Sequence, residues 1–229
     1  MRIVFIGDSL TAGRPGASYF KILQRALRAD ELINMGHANE TVVSLLKRIR
    51  RTQFTGRIDL AFLWIGVNDV VGDRFSALDW VARLMRIRPA EDLGEFKDCY
   101  SEILDILTEK ARKVILVPPG LKGEHLGNQF NRQLEAISNL IRKQTDAYEN
   151  AGFLDLRAAF SRSLEGHFSS NYLPETPLTV ALDLLWSSQD GYIDRKSAER
   201  GLVLTLDVIH LNNAGARLVA EAFLQVISG

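Results

Sequence analysis

The chain has 229 residues, of which 46% are hydrophobic and 24% charged, as in an ordinary globular protein. Lys and Arg together number 28, and so do Asp and Glu, so the formal net charge at pH 7 is zero. Because nucleic-acid-binding proteins usually carry a basic excess, this balance argues against a nucleic-acid partner. The length suits a single domain over residues 1–229.

The apolar pattern of the first half alternates between strand-like and helix-like segments. Short β-branched or continuously apolar runs predict buried strands, and apolar residues three or four apart predict helices. In chain order this gives a strand at 3–6, a helix at 19–27, a strand at 32–35, a helix at 41–49 and a strand at 60–65.

The second half continues the alternation. Between residues 70 and 90, apolar residues have helical spacing, and Pro89 ends this pattern because proline cannot continue a helix. The segments that follow are a helix at 95–110, a strand at 114–117, a helix at 129–149, a strand at 153–156 and a helix at 213–227. Such alternation predicts parallel strands with right-handed crossovers. We expect a three-layer α/β/α sandwich, with a flavodoxin-like parallel sheet of about five strands and ligands at its carboxyl edge.

The stretch from Arg157 to Gly201 interrupts this alternation. A structureless loop of that length is unusual inside a compact domain, and such loops often have a function. We therefore expect a lid or pocket wall at about 157–201. Its aromatic residues Tyr172 and Trp186 are candidates for an apolar pocket that holds the substrate.

The cysteine count and the hydropathy of the chain restrict the disulfides, metal sites and cellular location that we expect. The single cysteine, Cys99, excludes an intrachain disulfide framework and cysteine-based zinc sites, and we expect neither a metal nor a cofactor. No stretch approaches the apolar length of a membrane span, so stable membrane insertion is not expected. The first strand begins too early to leave room for a signal peptide, which predicts a cytoplasmic location. The sequence does not indicate the oligomeric state.

Three side chains suited to nucleophilic catalysis lie near the two ends of the chain. Gly7-Asp8-Ser9-Leu10 follows the first strand and precedes a helix, which places Ser9 at the carboxyl edge of the sheet. Asp207 lies three residues before His210, just ahead of the last helix. A serine hydroxyl needs an imidazole to take its proton and a carboxylate to orient that imidazole. Although Gly-Asp-Ser is also a common turn sequence, the two segments together predict Ser9 as nucleophile, His210 as base and Asp207 as its partner.

The segments 7–10 and 207–210, in this order along the chain, resemble the first and last motif blocks of the GDSL/SGNH hydrolase family of lipases and esterases. The resemblance extends over nearly the whole chain. The first block is matched by residues 7–10 and the last, Asp-x-x-His, by residues 207–210. The resemblance implies the SGNH hydrolase fold and an esterase that acts through an acyl-enzyme intermediate.

The two middle blocks of the family imply an oxyanion hole. One supplies a glycine N–H, matched by Gly36, and the other is Gly-x-Asn-Asp, matched by residues 66–69. The resemblance therefore implies that the backbone N–H groups of Ser9 and Gly36, with the Asn68 amide, stabilise the oxyanion. The second block departs from the usual small residues at His37, which lies where it can crowd or polarise the pocket entrance, although we expect an ordinary loop histidine at this position.

Several functions stay open at this point. The leading hypothesis is hydrolysis of a small carboxylic ester, with an acetylated sugar, a thioester or a lysophospholipid as alternative substrates of the same site. A catalytically silent binding module in the same crevice is the alternative from another class. A nucleotide-binding function has little support, because the loop after the first strand lacks a glycine-rich phosphate-binding pattern.

Overall fold

The computed structural model describes residues 1–70, 88–167, 169–170, 172, 179, 183, 185–186 and 191–229. The helix predicted over residues 70–90 lies largely outside these described residues.

Five parallel strands form one sheet, in the order β2-β1-β3-β4-β5. They are β1 (Arg2–Gly7), β2 (Glu31–Gly36), β3 (Leu60–Trp64), β4 (Val114–Val117) and β5 (Ala151–Phe153). This is the strand order of flavodoxin-like folds, so the predicted parallel sheet of about five strands is confirmed.

Helices connect and flank the strands. They are α1 (Ser9–Ala12), α2 (Tyr19–Ala26), α3 (Val42–Ile49), α4 (Leu93–Lys110), α5 (Gln129–Thr145), α6 (Leu156–Leu164), α7 (Tyr192–Glu199) and α8 (Asn213–Ser228), with a 3₁₀ turn at Val67–Asp69. Within the part of the chain that the structure describes, none of them has both the length and the apolar character needed to cross a membrane.

Polar residues just before the helices fix where they begin. Asp92, Asn128, Asp155 and Asn212 each accept a hydrogen bond from a backbone N–H in the first turn of α4, α5, α6 and α8, respectively. Such a cap contributes about 1 kcal/mol to helix stability. Because Asn212 ends the segment that contains His210, its cap also fixes where that segment joins α8.

The sheet is buried on both faces, which gives the three layers expected from the sequence. Along β1, Val4 and Ile6 pack into a cluster with α3, α4 and α5, whereas Ile3 and Phe5 pack into a second cluster with α2, α6 and α8. Since successive side chains of a strand point to opposite faces, a fully apolar strand requires helices on both sides.

The largest differences from the predicted boundaries lie between residues 145 and 164, whereas the other predicted elements that the structure describes differ by at most two residues. The fifth strand is Ala151–Phe153 and not 153–156, because Asp155 caps α6 and Leu156 is already helical. Helix α5 ends at Thr145, short of the predicted residue 149. The beginning of the expected 157–201 insertion is occupied by α6, whose Phe160 and Leu164 are buried in the second cluster.

Candidate active site

The carboxyl ends of the neighbouring strands β2, β1 and β3 lie side by side. Gly7 of β1 is in register with Gly36 of β2 and with Trp64 of β3. The residues that follow these positions therefore emerge at one edge of the sheet. The predicted nucleophile and the two predicted oxyanion segments all lie at or just after these strand ends, as parallel topology requires.

The structure brings Ser9, His210 and Asp207 together, although Ser9 lies 201 residues from His210 in sequence. Ser9 Oγ is 3.0 Å from His210 Nε2, and His210 Nδ1 is 2.8 Å from Asp207 Oδ2. With the proton on Nδ1 donated to Asp207, Nε2 is left to accept the Ser9 hydroxyl proton. The arrangement has the nucleophile–base–carboxylate connectivity that acyl transfer to serine requires.

Local sequence holds the Asp207 carboxylate in place. Its Oδ1 atom accepts hydrogen bonds from the backbone N–H groups of Ile209 (2.7 Å) and His210 (2.8 Å), which leaves Oδ2 for the imidazole. The Leu206 N–H donates to the His210 carbonyl at 2.7 Å and closes the turn. The three-residue spacing thus lets one tight turn deliver both groups in a fixed relative position.

Burial and pairing shift the pKa values of this pair in opposite directions. For His210, burial lowers the pKa, but attraction to Asp207 and the hydrogen bond to it raise the pKa to above the ordinary 6.5. For Asp207, burial raises the pKa, but attraction to His210 and three hydrogen bonds outweigh that effect and hold it below its usual 3.8. Asp207 is therefore ionised wherever His210 is neutral.

Ser9 lies at the start of α1 with only 4% of its surface exposed. Asp8 caps this short helix, since its carboxylate accepts a hydrogen bond from the Leu10 N–H at 2.9 Å. Asp8 therefore stabilises the turn that presents Ser9. Burial raises the pKa of Asp8 to about 7.

The structure limits what Gly36 can do as an oxyanion donor. Its N–H already donates to Asn34 Oδ1 at 2.8 Å, and the Asn34 amide in turn donates to the Thr11 carbonyl at 2.7 Å. A Cβ at Gly36 would overlap the backbone of α1, only 2.8 Å from Ala12 Cα. Close packing of β2 against α1 therefore accounts for glycine at this position without an oxyanion role.

Asn68 has the geometry of a fixed donor. Its Nδ2 atom donates one hydrogen to the Glu40 carbonyl at 2.9 Å, which orients the side chain and leaves the second amide hydrogen. The Asp69 carboxylate accepts hydrogen bonds from the backbone N–H groups of Val42 (2.9 Å) and Ala90 (3.0 Å), which is a structural role.

The loop between β2 and α3 borders an open cavity of about 720 Å³. His37 lines this cavity and is held by its own N–H, which donates to the Gly7 carbonyl at 2.9 Å. Asn39 of the same loop has a left-handed backbone with a φ of 60°. A non-glycine residue in that region is uncommon and often marks a functional loop, a signal that the sequence alone does not carry.

The two candidate pocket residues of the 157–201 segment lie in different surroundings. Tyr172 is half-buried, and the Arg200 guanidinium lies 4.8 Å from the centre of its ring. Arg200 also donates to the Leu206 carbonyl at 2.7 Å, directly before Asp207. Trp186 is 44% exposed. Their role as pocket residues stays a prediction.

Two charged side chains close to the segment that contains Asp207 and His210 were not predicted from the sequence as site residues. Glu124 is buried and binds residues 203–205, and Asp183 is buried in an ion pair with Arg200 at 2.8 Å. In the described parts of the chain, no three His, Cys, Asp or Glu side chains are grouped so that they could hold a metal ion.

The fold, the site and the sequence together define an esterase of the SGNH type. The chain belongs to the GDSL-like Lipase/Acylhydrolase family, whose model matches residues 5–218. It is thus a hydrolase that acts on ester bonds.

Solved structures of similar fold include two acetylxylan esterases and an alpha/beta hydrolase. The acetyl xylan esterase AlAXEase is 23% identical with a TM-score of 0.70, and the match covers 99% of this chain and 100% of that one. Axe2, an acetylxylan esterase from Geobacillus stearothermophilus, is 20% identical with a TM-score of 0.67, and the match covers 100% of this chain and 94% of that one. LAE5, an alpha/beta hydrolase enzyme from the metagenome of Lake Arreo, Spain, is 21% identical with a TM-score of 0.67, and the match covers 99% of this chain and 94% of that one. No curated protein matched the sequence.

Proposed function

We propose that this protein cleaves carboxylic esters through an acyl-enzyme intermediate, with Ser9 as nucleophile, His210 as general base and Asp207 as the carboxylate that orients the imidazole. The observation that carries the proposal is the continuous contact from Ser9 Oγ to His210 Nε2 (3.0 Å) and from His210 Nδ1 to Asp207 Oδ2 (2.8 Å). His210 takes the serine proton as Oγ attacks the ester carbonyl, and then gives it to the leaving alcohol.

The oxyanion that forms in this attack needs hydrogen-bond donors. In the proposal, the Ser9 N–H and the second Asn68 amide hydrogen supply two of them, since Ser9 is the first residue of α1 and Asn68 is oriented by Glu40. Gly36 can contribute only if its N–H gives up or shares the bond to Asn34.

We infer that the acyl group is acetyl and that the alcohol belongs to a carbohydrate. The support is the similarity to AlAXEase and Axe2, which are acetylxylan esterases, over nearly the full length of both chains. Catalytic mutants of Axe2 replace a serine, an aspartate and a histidine by alanine, which are the three residue types brought together here.

Substitution of the nucleophile tests the reaction class. Ser9→Ala should abolish hydrolysis of 4-nitrophenyl acetate while circular dichroism and melting temperature stay those of the parent. In the wild type, a fluorophosphonate should label Ser9, as located by peptide mass spectrometry. Activity of Ser9→Ala within about tenfold of the wild type would reject the proposal, because loss of a triad serine typically costs about 10⁶ in kcat.

A substrate panel tests the finer proposal. Rates should be compared for 4-nitrophenyl esters of increasing acyl length and for acetylated xylo-oligosaccharides. We expect kcat/KM to be highest for acetyl and acetate to be released from the oligosaccharides. A preference for long acyl chains would instead favour the lipase or lysophospholipase alternative.

A further inference from the structure

Glu124 is a charged side chain deep inside the molecule that the proposed reaction does not use. It lies in the loop between β4 and α5, residues 118–128, and is only 3% exposed. A carboxylate in such a position must be compensated by hydrogen bonds or ion pairs. Its partners therefore indicate what it holds in place.

Among the residues that the structure describes, Glu124 accepts hydrogen bonds from two segments outside its own loop. Oε1 accepts from the Leu204 N–H (2.7 Å), the Thr205 N–H (2.8 Å) and the Thr205 hydroxyl (2.8 Å). Oε2 accepts from the Val203 N–H (2.8 Å) and the Ser169 hydroxyl (2.5 Å). One carboxylate thus fastens three consecutive backbone N–H groups, a short distance before Asp207.

These three residues open the segment that contains Asp207 and His210, which we call the His210 turn (residues 203–212). The turn is closed on itself, because the Asn212 N–H donates to the Leu204 carbonyl at 3.0 Å and Thr205 bridges to Leu211. The segment 203–205, to which Glu124 binds, is therefore directly coupled to both ends of the turn.

The loop around Glu124 is itself anchored to α5 and to the turn. Asn131 of α5 is fully buried, and its amide donates to the carbonyls of Gly123 and His125, both at 2.9 Å. The Gly123 N–H donates to the Val208 carbonyl at 2.6 Å, between Asp207 and His210. Glu124 thus connects the His210 turn to a part of the fold that packs against the sheet.

We propose that Glu124 is a positioning residue for ester hydrolysis, whose buried carboxylate holds the His210 turn so that His210 Nε2 faces Ser9 Oγ. This inference rests on the proposed function. Both oxygens of the carboxylate face only donors in these bonds, which explains why an acid and not an amide is needed. In Glu124→Gln, one end of the amide would point an N–H at another N–H or O–H.

The experiment compares wild type, Glu124→Gln and the matched control Glu109→Gln, an exposed glutamate in α4, on 4-nitrophenyl acetate. A displacement of about 1 Å in a reacting group costs about 10² in rate. We therefore expect kcat of Glu124→Gln to fall roughly 10- to 100-fold, with KM within about twofold. The control should match the wild type in kcat, KM and melting temperature.

A pH profile separates positioning from a purely structural role. The groups whose charges act on His210 are Asp207, Asp8 and Asp183. If the turn loosens, the contact between Asp207 and His210 weakens. The pKa of His210 then falls, because burial still lowers it while Asp207 raises it less. The acid limb of kcat/KM should then move to lower pH in Glu124→Gln. A lower melting temperature with an unmoved limb and wild-type kcat would overturn the proposal.

Milder variants decide the matter if Glu124→Gln does not fold. Ser169→Ala and Thr205→Val each remove a hydroxyl donor and leave the three backbone donors in place. A fall in kcat of at least about threefold at unchanged KM supports the proposal, and wild-type kcat in both variants overturns it. Wild-type activity and labelling of Ser9 are measured first, because their absence rejects the proposed function, whereas an active wild type with equally active variants rejects only the role of Glu124.

Discussion

His210 contacts a different partner with each of its ring nitrogens. Nδ1 is 2.8 Å from Asp207 and Nε2 is 3.0 Å from Ser9. Because an imidazole serves as a general base only when it is neutral, the balance between burial and attraction to Asp207 decides the pH range in which the proposed reaction runs.

Replacement of Asp207 tests that balance. In the wild type, the pKa of His210 is raised above 6.5, so the imidazole stays protonated to a higher pH than a free histidine and kcat/KM should fall below that pH. Asp207→Asn removes the main cause that raises this pKa, while burial, which lowers it, remains. We expect the His210 pKa of the variant, measured by NMR titration of its ring, to lie below that of the wild type.

The kinetic effect of the same change should be large. An asparagine can stabilise the wrong tautomer of the imidazole, so kcat should drop by on the order of 10⁴. An unchanged titration together with wild-type kcat would show that Asp207 does not act on His210.

Two elements meet where the proposed nucleophile is held. The end of β2 packs directly on the backbone of α1, and Gly36 makes this approach possible because it has no Cβ. The position of Ser9 thus depends on the contact between two elements that are far apart in sequence, and not only on the Gly-Asp-Ser-Leu motif.

A single methyl group at Gly36 tests this contact. In Gly36→Ala, the Cβ would overlap backbone atoms of Thr11 and Ala12, which cannot move aside as a flexible side chain can. We expect a loss of about 1–3 kcal/mol in the free energy of unfolding, measured by urea denaturation, and a lower kcat as α1 shifts.

The matched control is Gly127→Ala. Gly127 is exposed, and its Cβ would meet only the ring of His125, at 3.4 Å. This variant should keep the parent's stability and kcat. If Gly36→Ala behaved in the same way, the close contact between β2 and α1 would not be what holds Ser9.

At the scale of the whole molecule, an aromatic cluster joins the sheet to the last helix. Phe223 of α8 is fully buried, and its ring centroid lies 4.6 Å from that of Phe62 and 5.1 Å from that of Tyr19. Because α8 begins right after the His210 turn, this cluster also secures the carboxyl-terminal side of the site.

Truncation of Phe223 should destabilise the whole fold. Phe223→Ala leaves a cavity and removes several ring contacts, which typically costs about 3–5 kcal/mol. For a chain of this size, the melting temperature should fall by roughly 6–20 °C in calorimetry. Leu93→Ala, at a position that is 45% exposed, serves as the control and should change little. A fall no larger than that of the control would mean that the cluster contributes little to stability.

The sequence by itself determined the five strands and the helices α2, α3, α4, α5 and α8. Continuous apolar runs predict strands buried on both faces, and the alternation of strands and helices allows few topologies, so the parallel sheet was predictable. The Ser9 and Asp207/His210 segments were also visible, because each is a local pattern next to a strand end or a helix start. The boundaries of β5 and the presence of α6 were missed, since Asp155 can end a strand or cap a helix, and the packing of α6 against α8 decides between them.

Only the tertiary structure decided which groups meet. Nothing in the sequence distinguishes Glu124 from other acidic loop residues, because its partner Thr205 is 81 residues away. The bond between the Gly36 N–H and Asn34 Oδ1 depends on a side-chain orientation set by Thr11 of another element. Local patterns predict helices and strands because hydrophobic periodicity is visible within a few consecutive residues. Burial, and with it the hydrogen-bond partner of each polar group, is set by contacts between residues that are distant along the chain.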